Sequence, residues 1–146
     1  MASEPAVIID AGPLVALLSE RDHFHAWASD TAQNLPLPFI TCESVISEAC
    51  FLLHRNDASV DTLFHLLHRG SVEIAFDLQR DTRSISSLMH KFSGLPKGKH
   101  MSLADAALVR LSEIHPHASV FTTDAHFKIY RRNGRQLIPL IAPWIH

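Results

Sequence analysis

Val7-Ile8-Ile9-Asp10-Ala11-Gly12-Pro13 is the stretch on which the reading of this chain turns. The apolar run Ala6-Val7-Ile8-Ile9 is short, β-branched and bounded by turn-forming residues, so it reads as a buried strand. Ala11-Gly12-Pro13 ends that strand and opens a helix. Asp10 therefore places a carboxylate at the mouth of a buried strand. A bare carboxylate in apolar surroundings is costly, so it must be solvated, paired or bound to a cation. In open α/β sheets the carboxyl ends of the strands are where ligands gather. The same arrangement recurs at Val120-Phe121-Thr122-Thr123-Asp124.

Working outward, apolar periodicity predicts a helix over about 13–20, with Leu14, Leu17 and Leu18 on one face, and a second over about 23–33. Pro36 and Pro38 break the second and lead into a strand near 38–40. Thr41 is a plausible cap for a helix running to His54. Asn56-Asp57 is a turn, and Val60, Leu63, Phe64 and Leu67 recur at helical spacing as a core stripe. Gly70 precedes a strand over 72–75, and a helix over 78–92 carries Ile85, Leu88, Met89 and Phe92. Gly94–Lys99 is a loop, and Ser102 caps a helix over 103–114. Strands follow at 118–122 and 137–141. Short apolar strands alternating with helices imply an α/β fold, a three-layer α/β/α sandwich with a central, mostly parallel sheet.

The 146 residues fit a single domain, 1–146, with a full-sized core. No apolar stretch approaches the roughly 20 residues of a membrane helix, and Met1–Pro5 lacks the basic and apolar regions of a leader. Cys42 and Cys50 are read as reduced thiols on one helix of a cytoplasmic protein. The net charge of −2 argues against a generally basic nucleic-acid binder. Its distribution is uneven: residues 1–79 hold three Lys/Arg and eleven Asp/Glu, and residues 80–146 hold ten and four. Either the second half presents a basic face to phosphate or the halves interleave and the polarity averages away.

Four acids sit where apolar patterning does not call for them. Asp10 is a helix cap or a ligand. Glu48 lies beside Val45 and Leu52 at the edge of an apolar helix face; it either snorkels to water or points into a polar cleft. Asp105 follows Ser102 at capping-box spacing, so it is a first-turn acid favoured by the helix dipole or an acid held beside the strand ends. Asp124 starts a turn or completes a site. Taken together, four such acids point to a divalent cation. Mg²⁺ and Mn²⁺ prefer oxygen ligands, and clustered carboxylates repel unless a cation neutralises them.

The ordered set Val7–Leu17, Ser47-Glu48-Ala49, Met101–Val109 and Val120–Asp124 resembles the PIN domain family, in particular the VapC-like toxin ribonucleases. The resemblance spans nearly the whole chain. It implies a Mg²⁺- or Mn²⁺-dependent endoribonuclease, commonly a homodimer held inactive by a small antitoxin protein. Matched by position, Asp10, Glu48, Asp105 and Asp124 form the catalytic acidic quartet. Asp10 and Asp105 are the principal metal ligands; Asp124 and Glu48 complete the shell, hold waters or bind a second ion. Thr122, two before the last acid, orients it. Many relatives carry another acid before the Phe that follows; here His126 precedes Phe127. The same fold also serves RNA-processing nucleases and non-catalytic RNA- or protein-binding modules.

Lys97 and Lys99, with His100, precede the Asp105 helix, and Lys128, Arg131, Arg132 and Arg135 follow Asp124. These are the expected contacts to RNA phosphates. His65 and His68 lie three apart on a helix, and His23 and His25 flank Phe24. Neither pair has the further ligands of a zinc site, so both read as ordinary histidines. Any exposed part of the Val60–Leu67 stripe is expected to receive an amphipathic antitoxin helix.

Overall fold

A computed structural model describes residues 6–145. Met1–Pro5, read above as lacking a leader, lies outside the described residues. Five parallel strands form one sheet: β1 (Val7–Ile9), β2 (Phe39–Thr41), β3 (Val72–Ile74), β4 (Ser119–Phe121) and β5 (Leu140–Ile141), in the order β3-β2-β1-β4-β5. Val7 pairs with Phe39 on one side and Ser119 on the other, which fixes the register of the centre. Six helices cover the sheet: α1 (Ala11–Leu18), α2 (His25–Ala32), α3 (Glu43–Arg55), α4 (Asp61–His68), α5 (Thr82–Lys91) and α6 (Leu103–Ile114). The architecture is a three-layer α/β/α sandwich, and its sheet is parallel throughout.

The central strands are apolar on both faces because both are covered. Val7, Ile8, Ile9, Val120 and Phe121 are all buried, in a core continuous with Leu14, Leu53, Leu63 and Leu108. Trp27 and Phe39 meet Phe121 edge to face, with centroids 5.4 and 6.1 Å away. Helix α6 packs against β1 and β4. Its buried Ala104, Ala106 and Ala107 let the helix lie close, and that brings its first turn to the strand ends. Arg110 of α6 donates to buried Asp81 at 3.0 Å and to Glu113 at 3.2 Å, fastening the helix to the segment that starts α5.

Several boundaries differ from those expected, each for a local reason. Helix α1 starts at Ala11, because the Asp10 side chain caps it and Pro13 fits its first turn. Thr41 does not cap α3. It ends β2, and its hydroxyl donates to the Ile9 carbonyl at 2.8 Å, so Cys42 occupies the cap position. The helix over 78–92 begins only at Thr82, after turns around Asp77. The last strand is two residues long. A short 3₁₀ turn, Ala125–Lys128, follows β4. The Val60–Leu67 stripe is split: Leu63 is buried, and Phe64 is 51% exposed.

Candidate active site

The chain runs outward through β1, β2 and β3 in one direction and through β4 and β5 in the other. The reversal lies between β1 and β4, so their carboxyl ends open a crevice of the kind in which α/β proteins bind ligands. Asp10 follows β1 directly, and its amide continues the ladder by donating to the Phe121 carbonyl at 3.0 Å. Asp124 stands three residues beyond β4. Glu48 comes from α3 and Asp105 from the first turn of α6. All four acids line one cleft of about 410 Å³, with Lys99, His100 and His126 among the other lining residues. Gly12 lets the α1 terminus come this close: a Cβ there would lie 2.2 Å from Thr123 Oγ1.

Each acid is held differently. Asp10 is 6% exposed. Its Oδ1 accepts from the Ala11 amide at 2.8 Å and its Oδ2 from the Thr122 hydroxyl at 2.8 Å. Those two bonds favour the anion, but burial outweighs them. With the charge of Asp105 nearby, burial pushes the Asp10 carboxyl up to about 7. Asp105 is pushed up to about 6, again mainly by burial, although the Tyr130 hydroxyl donates to its Oδ2 at 2.7 Å. Its amide donates to Ser102 Oγ at 3.0 Å, as the capping spacing predicted. Glu48 sits on the rim. The cleft wall shields part of its carboxyl, and Asp124 adds repulsion, so it too is raised. Asp124 Oδ1 accepts from the His126 amide at 2.9 Å and lies 3.1 Å from His126 Nδ1. Thr122 ties the two strand-end acids together, since the hydroxyl that donates to Asp10 also accepts from the Asp124 amide at 3.0 Å.

The basic residues are not gathered in the same way. Lys99 lines the cleft, and Lys97 sits exposed in a left-handed turn outside its lining (φ 63°). Lys128 lies over the Trp144 ring at 4.6 Å. Arg131 folds its guanidinium onto the carbonyls of Lys128, Ile129 and Tyr130. Arg132 is corrected outright as a phosphate contact. It is 4% exposed and donates to the carbonyls of Ser112 and Pro116, locking the end of α6. The two halves of the chain lie side by side and meet at the β1–β4 seam, where Asp10 and Glu48 line one cleft with Asp105 and Asp124.

Tyr130 was missed in the sequence. It is fully buried against Phe92 and Phe127, and its hydroxyl pins Asp105. The signal available was the chain's single tyrosine close to Phe127 and Ile129, since a tyrosine that packs among apolar groups needs a polar partner for its hydroxyl. His65 and His68 are exposed on α4, and His25 Nδ1 lies 2.7 Å from the Ala16 carbonyl, a structural contact. Cys42 and Cys50 are free thiols.

Among the described residues, no three His, Cys, Asp or Glu side chains stand close enough to hold one ion between them. A structural zinc site closes four Cys or His ligands around the ion, and the cleft offers no such cage. Its lining is dominated by the oxygens of four carboxylates and the Ser102 and Thr123 hydroxyls, with the His100 and His126 imidazoles beside them. Mg²⁺ is commonly held by one or two carboxylates and its own waters. The residues fit a largely hydrated hard cation.

No protein-family model matches this chain, and no curated protein matches it in sequence.

Proposed function

We propose that this protein is a Mg²⁺- or Mn²⁺-dependent endoribonuclease that hydrolyses RNA phosphodiester bonds in the cleft between β1 and β4. One observation carries the reading: Asp10, Glu48, Asp105 and Asp124 come from four separate elements and line a single cleft at the topological switch point. Two of them are pushed up to about 7 and about 6. Burial raises both, neighbouring carboxylates add to it, and a bound cation would offset the cost of ionising them.

Asp10 and Asp105 are the residues to hold such an ion, with Asp124 and Glu48 beside it. A divalent ion bound there would lower the pKa of an attacking water and neutralise charge on the phosphate. Thr122 holds Asp10 and Tyr130 holds Asp105, so the two carboxylates enter the cleft in fixed orientations. Lys99 and His100 supply donors for the phosphate backbone at the rim.

The biological setting follows from the PIN resemblance. It is that of a toxin in a toxin–antitoxin pair, with a small antitoxin protein and a second copy of the chain as partners, acting in the cytoplasm. RNA processing outside such a pair is the alternative role. Phe51 on α3 and Phe64 on α4, 62% and 51% exposed, offer apolar surface for a protein partner. Among the described residues, no helix is long and apolar enough to cross a membrane.

The deciding experiment is RNA cleavage by the full chain with Mg²⁺ or Mn²⁺, against Asp10→Asn and Asp105→Asn. Metal-dependent cleavage lost in both variants, with the fold retained, supports the proposal. Variants as active as the parent would sink it. The separation of the acids favours one second reading, a PIN-like module that binds RNA or protein without cutting. Calorimetric titration with Mn²⁺ discriminates: no binding at millimolar metal favours that module.

A further inference from the structure

A second cavity, of about 250 Å³, opens at the same end of the sheet. Phe76, Leu103 and Ala107 give it apolar walls, and Cys42, Glu43 and Ser44 close it at the start of α3. The first turns of α6 separate it from the acidic cleft. Leu103 and Ala107 face the cavity, while Ala104 and Asp105 face the acids. Its size is below the roughly 300–1,000 Å³ of sites for drug-sized ligands, which leaves room for one flat ring. Phe76 is a partly exposed aromatic on the wall. Glu43 is an exposed carboxylate at the opening, repelling a phosphate and accepting hydrogen bonds from an amine.

We infer that this cavity binds a single nucleobase of the RNA, next to the scissile phosphate, and prefers bases that carry an exocyclic amine. The inference rests on reading the neighbouring cleft as an RNA-cleaving site. Single-stranded RNA is recognised by bases splayed out and stacked on aromatic side chains, with their edges read by polar groups. Phe76 supplies the stacking face, Leu103 and Ala107 enclose the ring, and the Glu43 carboxylate with the Ser44 hydroxyl reads its edge. A chain that threads a phosphate past Asp105 would place the adjoining base over the next turn of α6.

The test uses the full chain and nucleoside 5′-monophosphates, without divalent metal. Amide shifts are followed by NMR. Adenosine, cytidine and guanosine monophosphates should shift residues 42–44 and 103–107, uridine monophosphate less. Phe76→Ala should weaken binding roughly 10-fold or more, the loss of one stacked base. Glu43→Gln, an exposed isosteric change, should narrow the gap between cytidine and uridine. Cleavage of randomised oligonucleotides should show the same preference at one fixed position beside the cut. Shifts confined to the acidic cleft, or a Phe76→Ala variant binding like the parent, overturn the inference. So does equal binding of cytidine and uridine monophosphates. Cleavage without any base preference leaves the nuclease reading standing and removes this one. Nucleotide binding at the cavity without cleavage removes the nuclease reading and, with it, the placement beside a scissile phosphate.

Discussion

The hydroxyl of Thr122 donates to Oδ2 of Asp10 at 2.8 Å, joining residues 112 positions apart across the ends of two neighbouring strands. Both residues are buried, so the bond is shielded from water. Thr122→Val keeps the shape and deletes the donor. The variant should lose about 1–3 kcal/mol of stability, because a buried carboxylate oxygen is left without a partner. The Asp10 carboxyl should also be harder to ionise, so Mn²⁺ should bind more weakly at neutral pH. Thr122→Ser should restore both. Denaturant melts and calorimetry measure the two effects, and a Val variant that binds Mn²⁺ like the parent would contradict this role for Thr122.

Tyr130 does for Asp105 what Thr122 does for Asp10. Its ring is fixed by Phe92 and Phe127, so the hydroxyl arrives at Asp105 Oδ2 already oriented. Tyr130→Phe should cost about 1 kcal/mol in stability. Its larger effect should be on the cation, since removing a group that orients a ligand commonly weakens metal binding by roughly 10-fold or more. The check is Mn²⁺ affinity set beside the melting temperature. A drop in melting temperature with unchanged affinity would make Tyr130 a core residue only.

Much of this site was legible because it is written in local patterns. An acid after a buried apolar run can be read at Asp10 and at Asp124. An acid out of place on an apolar helix can be read at Glu48 and Asp105. The alternating strands and helices gave the sandwich for the same reason. Asp10 also shows that the competing readings were not exclusive. One oxygen caps α1 while the other is held by Thr122, and the same carboxylate faces the cleft. Tyr130 and Arg132 were not legible, because their roles depend on which distant backbone or side-chain atom the fold brings to them. Charge counting by halves left two readings open, and the strand order sets the halves side by side, meeting at the β1–β4 seam.

Asp10 gives the molecule a pH dependence whose sign can be worked out. Its carboxyl moves from an ordinary 3.8 to about 7 in the fold, so the native state prefers the protonated form. Its contribution is fully present at pH values below the ordinary value and is lost as pH rises through about 7. Asp105, raised to about 6, acts in the same direction. The other charged groups lining the cleft are Glu48, Asp124, Lys99, His100 and His126. Comparison with Asp10→Asn isolates Asp10 from them. In a chelator, the variant should match the parent near pH 4 and gain stability relative to it up to about pH 7, by at most on the order of 4 kcal/mol. Mn²⁺ should erase the gain by stabilising the ionised parent. A difference that does not change with pH would refute the assignment.

Lys99 and Arg132 should separate cleanly, although both are basic residues near predicted acids in sequence. Arg132 is buried and serves the carbonyls of Ser112 and Pro116. Arg132→Met removes charge-assisted bonds and should cost about 2–3 kcal/mol. At this chain length that is a fall of roughly 4–12 °C in melting temperature. Lys99 is exposed on the cleft rim, so Lys99→Gln should leave melting unchanged. It should instead weaken RNA binding and flatten its salt dependence, because one phosphate contact releases about one counterion. Melting curves and RNA titrations at two salt concentrations read both effects. A Lys99 variant with the parent's salt slope would remove that residue from the RNA path and leave the cleft rim to His100.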